Sequence, residues 1–459
     1  MIINKLQSTT LAALAGLCIL QNALAAEKPN FIVIFTDDQG YADLSCFGSD
    51  KIKTPHIDQL AAEGMKLTSF YVASPVCTPS RAALLTGAYP KRIEMHRHVL
   101  FPSAKVGMNP EEVTIADMLK ANGYATAAVG KWHLGDNPKF LPTRQGFDYY
   151  FGIPYSNDMN HPKNQDKPKK AWDRGWLNQD EIMPEWNTPL IEGEEIIELP
   201  VNQRTITRRY TDKTIEFAAA NKDKPFFVYL AHSMPHIPLF VPEDRYDGNL
   251  ENAYTCVIEH IDDEVGRLVA ELKKQGQYDN TYILFTSDNG PWTQFKHHAG
   301  SAKPLSGSKG NTKEGGQRVP FVIKGPGIPA GSSSDAIVSS IDILPTIAKL
   351  AKVEAKTRGK IDGLDASVLL TGKGESPRNE FLYFSSMGEI EGIRVGDWKF
   401  RKFGKNAKCT LHNLAQDIGE ANDLIKQHPD KAAELEARML ELNEEITTNQ
   451  RKRGTLEKN

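Results

Sequence analysis

Cysteine is scarce in this chain: five among 459 residues, Cys18, Cys46, Cys77, Cys256 and Cys409. Their spacing matches no zinc site, and they are too few to staple so long a chain through a disulfide framework. One bridge at most is expected among Cys46, Cys256 and Cys409, with three free thiols as the other reading. A surplus of one charge is missing too, since 55 Lys and Arg face 58 Asp and Glu for a formal net charge of -3. Bulk attraction to nucleic acid does not follow from such a balance. Past the first 25 residues no apolar run is long enough to span a bilayer. No Gly-x-Gly-x-x-Gly follows the first predicted strand, and the glycines from Gly300 to Gly316 lack the Gly-Lys-Ser/Thr of a phosphate-binding loop. Nucleotide binding is therefore disfavoured.

What is present begins with a leader. Lys5, the apolar stretch Leu11 to Leu20 and the small residues Ala23-Leu24-Ala25 read as a secretory signal over residues 1–25, predicting export to a periplasmic or extracellular space. The remaining length exceeds the ~100 to 200 residues of one ordinary domain, so a large domain over 26–375 and a smaller one over 376–459 are predicted. Short apolar runs stop abruptly at polar residues: Phe31 to Thr36 before Asp37-Asp38, Ala125 to Val129 before Lys131 and His133, Phe226 to Ala231 before His236, and Tyr282 to Thr286 before Asp288-Asn289. These are predicted buried strands. Amphipathic helices lie between them, one capped by Thr114 with Asp117 three residues on and burying Ile115, Met118 and Leu119. The alternation predicts a layered α/β fold. From about residue 376 the texture changes. Phe381 to Phe384, Ile393 to Lys402 and Cys409 to Leu414 read as short antiparallel strands, and Pro429 to Thr447 as a helix with Leu435, Met439, Leu442 and Ile446 on one face. The charged tail after Arg451 is expected to fray.

In α/β sheets, ligands gather outside the carboxyl ends of the strands, and all four predicted strands end there in charged or imidazole side chains. Asp37, Asp38, Asp288 and Asn289 offer oxygen donors only, which suits a hard cation and argues against zinc or copper. Calcium is the first choice and magnesium the second. Lys131 and His133, two residues apart after a strand, are expected to face one side and meet an anion together. The run from Cys77 to Gly87, Cys-Thr-Pro-Ser-Arg-Ala-Ala-Leu-Leu-Thr-Gly, places a cysteine at the mouth of a helix. Pro79 suits a first helical position, Gly87 can end the helix, and Arg81 adds a fixed cation to the unpaired backbone N-H groups. That is a site for anion chemistry.

The Cys77 to Gly87 run resembles the signature of the sulfatase family, whose cysteine is oxidised after translation to formylglycine, the aldehyde whose hydrate is the nucleophile. Gly-Lys-Trp-His-Leu-Gly at 130–135 resembles the family's second signature, with Lys131 and His133 matching position for position. His236, in His-Ser-Met-Pro-His-Ile-Pro at 232–238, resembles the histidine that the family follows two residues later with proline; His232 is the competing candidate. Lys309, in Gly-Ser-Lys-Gly-Asn-Thr-Lys-Glu-Gly-Gly, resembles the lysine that grips sulfate, with Lys303 and Lys313 as alternatives. Phe-Gly-Ile-Pro-Tyr-Ser-Asn-Asp at 151–158 is similar to the arylsulfatase A branch, and the whole resemblance spans about Pro29 to Gly327.

The resemblance implies an alkaline phosphatase-like fold: a large, mixed, mostly parallel sheet between helices, with a smaller C-terminal antiparallel sheet of the four-stranded type plus a helix. It implies a catalytic set of Cys77, Arg81, Lys131, His133, His236 and Lys309, and a metal set of Asp37, Asp38, Cys77, Asp288 and Asn289. By the same resemblance His236 protonates the leaving alcohol and His133 is the base of the later elimination, two roles open to exchange. Sulfate-ester hydrolysis follows, with a formylglycine-maturation enzyme as partner. Export combined with that site predicts a sulfated polysaccharide or its oligosaccharides as substrate. Lys163, Lys167, Lys169, Lys170 and Arg174 beside Trp172 and Trp176 suit the charges and apolar ring face of such a sugar, or form a solvated loop. The rivals are a phosphonate or phosphodiester hydrolase of the same superfamily and a non-catalytic receptor for sulfated glycans. Retention of every catalytic residue type argues against the receptor.

Overall fold

Strand β1 (Asn30–Thr36) sends Phe31, Val33 and Phe35 into one apolar core and Ile32 and Ile34 into another. That two-residue period belongs to a strand covered on both faces, which explains why it reads in sequence as an unbroken apolar run. The molecule is described from a computed structural model over residues 28–159, 187–404 and 406–456. The leader 1–25 and the basic segment 161–176 lie outside the described residues.

Around β1 stand β2 (Met65–Tyr71), the short β3 (Val106–Gly107), β4 (Ala125–Gly130), β5 (Tyr149–Gly152), β6 (Leu190–Glu192) and β7 (Glu195–Glu198). They are followed by β8 (Phe226–Ala231), β9 (Thr281–Ser287), β10 (Arg318–Lys324), β11 (Ser332–Ser334) and β12 (Val338–Ser339). All but β3 join one sheet in the order β11-β2-β10-β9-β1-β8-β4-β5-β6-β7, with β12 also beside β2. Strands β9, β1, β8, β4 and β5 run parallel, whereas β10, β6 and β7 run against their neighbours. The sheet is thus large, mixed and mostly parallel at its centre.

Helices α1 (Pro55–Ala62), α4 (Ile206–Ala220) and α5 (Ala253–Lys274) cover the Ile32 face through Ile57, Tyr210 and Ile261. Helices α2 (Cys77–Thr86), α3 (Ile115–Lys120) and α7 (Ile343–Leu350) cover the Phe31 face through Leu85, Ile115 and Leu344, and the one-turn α6 (Glu314–Gln317) precedes β10. The reciprocal cap at Thr114 and Asp117 forms as predicted, satisfying two backbone donors at the start of α3.

The C-terminal antiparallel sheet has four strands, β13 (Glu380–Phe384), β14 (Ile390–Val395), β15 (Trp398–Phe403) and β16 (Lys408–Asn413), packed against α8 (Pro429–Thr448). The stretch 393–402, predicted as one strand, is a hairpin: Val395 pairs with Trp398 across Gly396, whose φ of 54° lets the chain reverse in two residues. The tail after Arg451 does not fray up to Leu456. Arg451 pairs with Glu112 at 2.8 Å, and Gly454–Thr455 (β17) forms a ladder with β3, so the tail is tied down at both points. All four described cysteines are free thiols.

A buried ionic cluster joins the C-terminal sheet to α6. Lys399, on β15, donates to Glu314 at 2.8 Å and lies 3.0 Å from Glu420, and all three side chains are shut off from solvent. Tyr71 and Tyr383 also donate to Glu314, at 2.5 and 2.7 Å. Burial opposes the Glu314 charge, yet Lys399 first, then Arg318 and Arg394, hold its carboxyl well below the usual range. Removing the central cation takes the ion-pair partner from buried Glu420 and leaves Glu314 with Arg318 as its remaining close cation. Lys399→Met should cost about 3–5 kcal/mol, read as a lowered denaturation midpoint in urea; an unchanged midpoint would refute this account of the cluster.

Candidate active site

The parallel register that pairs Thr36 with Ser287 brings Asp37-Asp38 and Asp288-Asn289 out of the sheet side by side. The Asp288 N-H donates to the Thr36 carbonyl at 3.0 Å, the Asp38 N-H to Asp288 Oδ1 at 3.2 Å, and Asn289 Nδ2 to Asp38 Oδ1 at 2.7 Å. Asp38 has φ 65°, a left-handed backbone that a non-glycine residue keeps only when its surroundings hold it there.

Helix α2 aims its first residue at this carboxylate group. It begins at Cys77, two residues before the proline that sequence favoured as its start, and ends at left-handed Gly87. The Cys77 thiol donates to Asp37 Oδ1 at 3.4 Å and lies 3.6 Å from Lys309 Nζ. One turn on, Arg81 reaches Asp288 Oδ2 through Nε and Nη2 at 3.1 and 2.7 Å, stands 3.4 Å from Asp37 Oδ2, and donates from Nη1 to the Lys131 carbonyl. A guanidinium with three fixed partners braces both strand ends against the helix.

Strand β4 delivers Lys131. At Gly130 the φ of 114° and an approach in which an added Cβ would stand 1.8 Å from the Ala231 carbonyl oxygen leave no room for any side chain. Lys131 Nζ donates to Asp37 Oδ2 at 2.5 Å and to Ser156 Oγ at 3.1 Å. His133 departs from the predicted alternation because its own φ is 60°. Its Nε2-H donates to the Leu100 carbonyl at 2.8 Å, and Nδ1 is buried with no hydrogen-bond partner among the described residues.

His236 donates from Nδ1 to the Ile237 carbonyl at 2.5 Å, which leaves Nε2 3.6 Å from Asp38 Oδ2 and 3.4 Å from Ser156 Oγ. Its competitor His232 is buried beside Tyr210 with neither ring nitrogen hydrogen-bonded among the described residues, and burial lowers it to about 3. Lys309 Nζ lies 2.7 Å from Asp38 Oδ1, whereas Lys303 is exposed, and of the three candidate lysines Lys309 is the one paired with a carboxylate here among the described residues. Ser156, which bridges Lys131 and His236, was not singled out from sequence. The 151–158 motif contained it, and the hydroxyl directly after Tyr155 was the available signal.

Burial penalises every charge in this pocket, so the carboxylates separate. Burial works against Asp37, but the charges of Lys131, Arg81 and Lys309 hold its carboxyl far below the usual range. Burial pushes Asp288 up to about 7, with Asp37 adding to the rise and Arg81 opposing it. Burial also raises Asp38, opposed chiefly by Lys309. The Cys77 thiol is driven well above its ordinary value by burial and then by Asp37, so it stands as the neutral thiol. Burial, and after it Lys309, depresses His236; burial and Lys131 depress His133; both rings are neutral.

The donors gathered here fit a metal ion. Ligand atoms of Asp37, Asp38, Cys77 and His236 fall within 4.8 Å of one another, and the Asn289 Oδ1 is buried without a hydrogen-bond partner among the described residues. An orphaned amide oxygen beside crowded carboxylates is what an oxygen-ligated ion would satisfy.

Comparison with known proteins agrees with this geometry. The family model described as Sulfatase matches residues 29–353. Human arylsulfatase A is 38% identical over 407 residues, covering 86% of this chain and 78% of the relative. The crystal structure of Ps i-CgsB in complex with k-i-k-neocarrahexaose superposes with a TM-score of 0.77 at 33% identity, covering 91% of this chain and 93% of that one. The PsFucS1 sulfatase from Pseudoalteromonas sp. superposes with a TM-score of 0.79 at 27% identity, covering 96% and 95%. With a strand-end carboxylate group met by a cysteine-tipped helix, and with these relatives, the chain belongs to the sulfatase family, in its arylsulfatase A-like branch, and is a sulfuric ester hydrolase.

Proposed function

We propose that this sulfatase is exported and removes sulfate from a sulfated polysaccharide or its oligosaccharides, using formylglycine at position 77 and a divalent cation, calcium before magnesium. One observation carries the reading: Cys77 Sγ at the tip of α2 touches both Asp37 and Lys309, so reacting atom, metal-type carboxylate and anion-binding cation meet at one point. The composition of residues 1–25 supports export. The carbohydrate part is supported by the likeness to Ps i-CgsB, a protein whose structure holds k-i-k-neocarrahexaose. No helix among the described residues is long and apolar enough to cross a membrane.

Asp37, Asp38, Asp288 and Asn289 would hold the cation, which supplies fixed positive charge against the sulfonyl oxygens. Formylglycine at position 77 would supply a hydrated aldehyde as the nucleophile toward sulfur, with a second hydroxyl through which the bound sulfate could be released. The residues of the chain do the rest. Lys131 and Lys309 present preorganised cations to a sulfate seated over residue 77. Arg81 fixes Asp288 and the end of β4 in place. His236, with its Nδ1-H held by the Ile237 carbonyl, turns a bare Nε2 toward the pocket and, once that nitrogen has taken up a proton, passes it to the departing alcohol, Lys309 standing beside it. His133 has its Nε2-H locked on the Leu100 carbonyl, so the bare Nδ1 is the base for the elimination. Every residue of α2 is buried, so a formylglycine-maturation enzyme must reach Cys77 before the helix docks.

Mass analysis of the peptide containing residue 77, from protein made alongside a maturation enzyme, should find the aldehyde; a fully active protein with an intact thiol would sink the nucleophile assignment. Cys77→Ala should abolish sulfate release while the thermal midpoint stays within a few degrees. Lys309→Ala should lower kcat by roughly 10²-fold or more, measured on the same ester. Chelation should lower the melting temperature and calcium restore it, by the equivalent of about 2.7 kcal/mol at a hundredfold excess over Kd; a midpoint indifferent to both would remove the ion from the site. Sulfate esters compared with phosphonates and phosphodiesters at equal metal should favour sulfate.

A further inference from the structure

The first ring beyond the ligand pair Asp288-Asn289 is Trp292, separated from Asn289 only by Gly290 and Pro291. Its indole is half-buried, with the Lys309 ammonium 4.3 Å from the ring centroid and the His236 ring 5.6 Å away. Phe295 braces it edge-on at 4.8 Å, so the plane of the indole is set by packing. The Lys309 N-H donates to the Pro291 carbonyl at 2.9 Å, which ties the loop carrying the lysine to the loop carrying the tryptophan. Among the described residues the indole N-H makes no hydrogen bond.

We infer that Trp292 is a specificity-determining residue, a platform on which the pyranose ring of the departing sugar lies. The inference rests on the sugar-sulfate reading above and adds the wall that reads the sugar. Two side chains attend the leaving oxygen in that reading, His236 and Lys309, and Trp292 touches both on one side. A carbon skeleton attached to the leaving oxygen, attended by His236 and Lys309, has this indole as a near neighbour. An aromatic face offers a pyranose the apolar contact its axial C-H groups need, and the free indole N-H can donate to a ring hydroxyl. A bare sulfate ion, seated deeper over residue 77, would gain nothing from the ring. The contact is present before and during S-O cleavage, so it acts on KM and leaves kcat nearly untouched.

The test uses the matured, metal-loaded enzyme and a panel of singly sulfated methyl pyranosides, with inorganic sulfate as the competitive ligand that lacks a ring. For the best pyranoside, Trp292→Ala should raise KM about tenfold or more, with kcat and the sulfate inhibition constant each within about threefold of the starting protein. Trp292→Phe should recover most of the lost KM. A KM that ignores the alanine change overturns the inference. So does a KM that rises in step with the sulfate inhibition constant, because the ring would then be acting through Lys309 on the inner pocket. If the alanine protein fails to fold, Trp292→Leu against Trp292→Phe decides the matter at nearly constant apolar volume, and equal KM values for the two overturn it. Wild-type enzyme that hydrolyses an aryl sulfate but none of the pyranosides takes down the sugar reading and this inference together; pyranoside turnover blind to residue 292 takes down this one alone.

Discussion

Three carboxylates buried at adjoining strand ends are the constraint on which the rest of the site is built. The register of β1 on β9 puts Asp37, Asp38 and Asp288 in one solvent-excluded place, where each charge is costly unless it is met. Arg81, Lys131 and Lys309 meet them from three separate elements, a helix, a strand end and a glycine-rich loop. Displacing the helix or the lysine loop would take the paired cation from Asp288 or Asp38, whereas Asp37 is met twice, by Lys131 and by Arg81. The same electrostatic demand that welcomes a cation therefore also holds the catalytic geometry together.

Much of this could be read from the chain, and for a stateable reason. Strands β1, β4, β8 and β9 are covered on both faces, so each stands out as a continuous apolar run that stops where its chemistry begins. The cap at Thr114 and the helix after Pro429 are local patterns, and local patterns survive without knowledge of the fold. What escaped was non-local or carried by unusual backbone. The strand order depends on contacts between residues hundreds of positions apart. Asp38 and His133 take left-handed conformations without being glycine, and nothing in their identity announces it. The hairpin hidden in 393–402 differs from one strand only by the turn at Gly396. Ser156 and Trp292 gain their meaning from neighbours, His236 and Lys309, that come from other parts of the chain.

The C-terminal sheet has a part in the site although it supplies no atom to it. Glu314 follows the glycine-rich loop of Lys309 by one turn, and its carboxylate is held by Lys399 and Tyr383 from the C-terminal sheet. Thr312 is likewise bonded to Glu391 and Arg401. The loop is rich in glycine, and these partners help to fix its position.

Between Asn289 and Trp292 there are two residues, and neither is idle: the Gly290 N-H donates to the Gly316 carbonyl and the Pro291 carbonyl accepts from Lys309. Insertions or deletions in this link would shift Asn289 and Trp292 against each other. On the reading proposed above, change at this corner is thus confined to exchanging the side chain at 292, while longer remodelling is left to loops that share no tether with the strand end carrying Asp288 and Asn289.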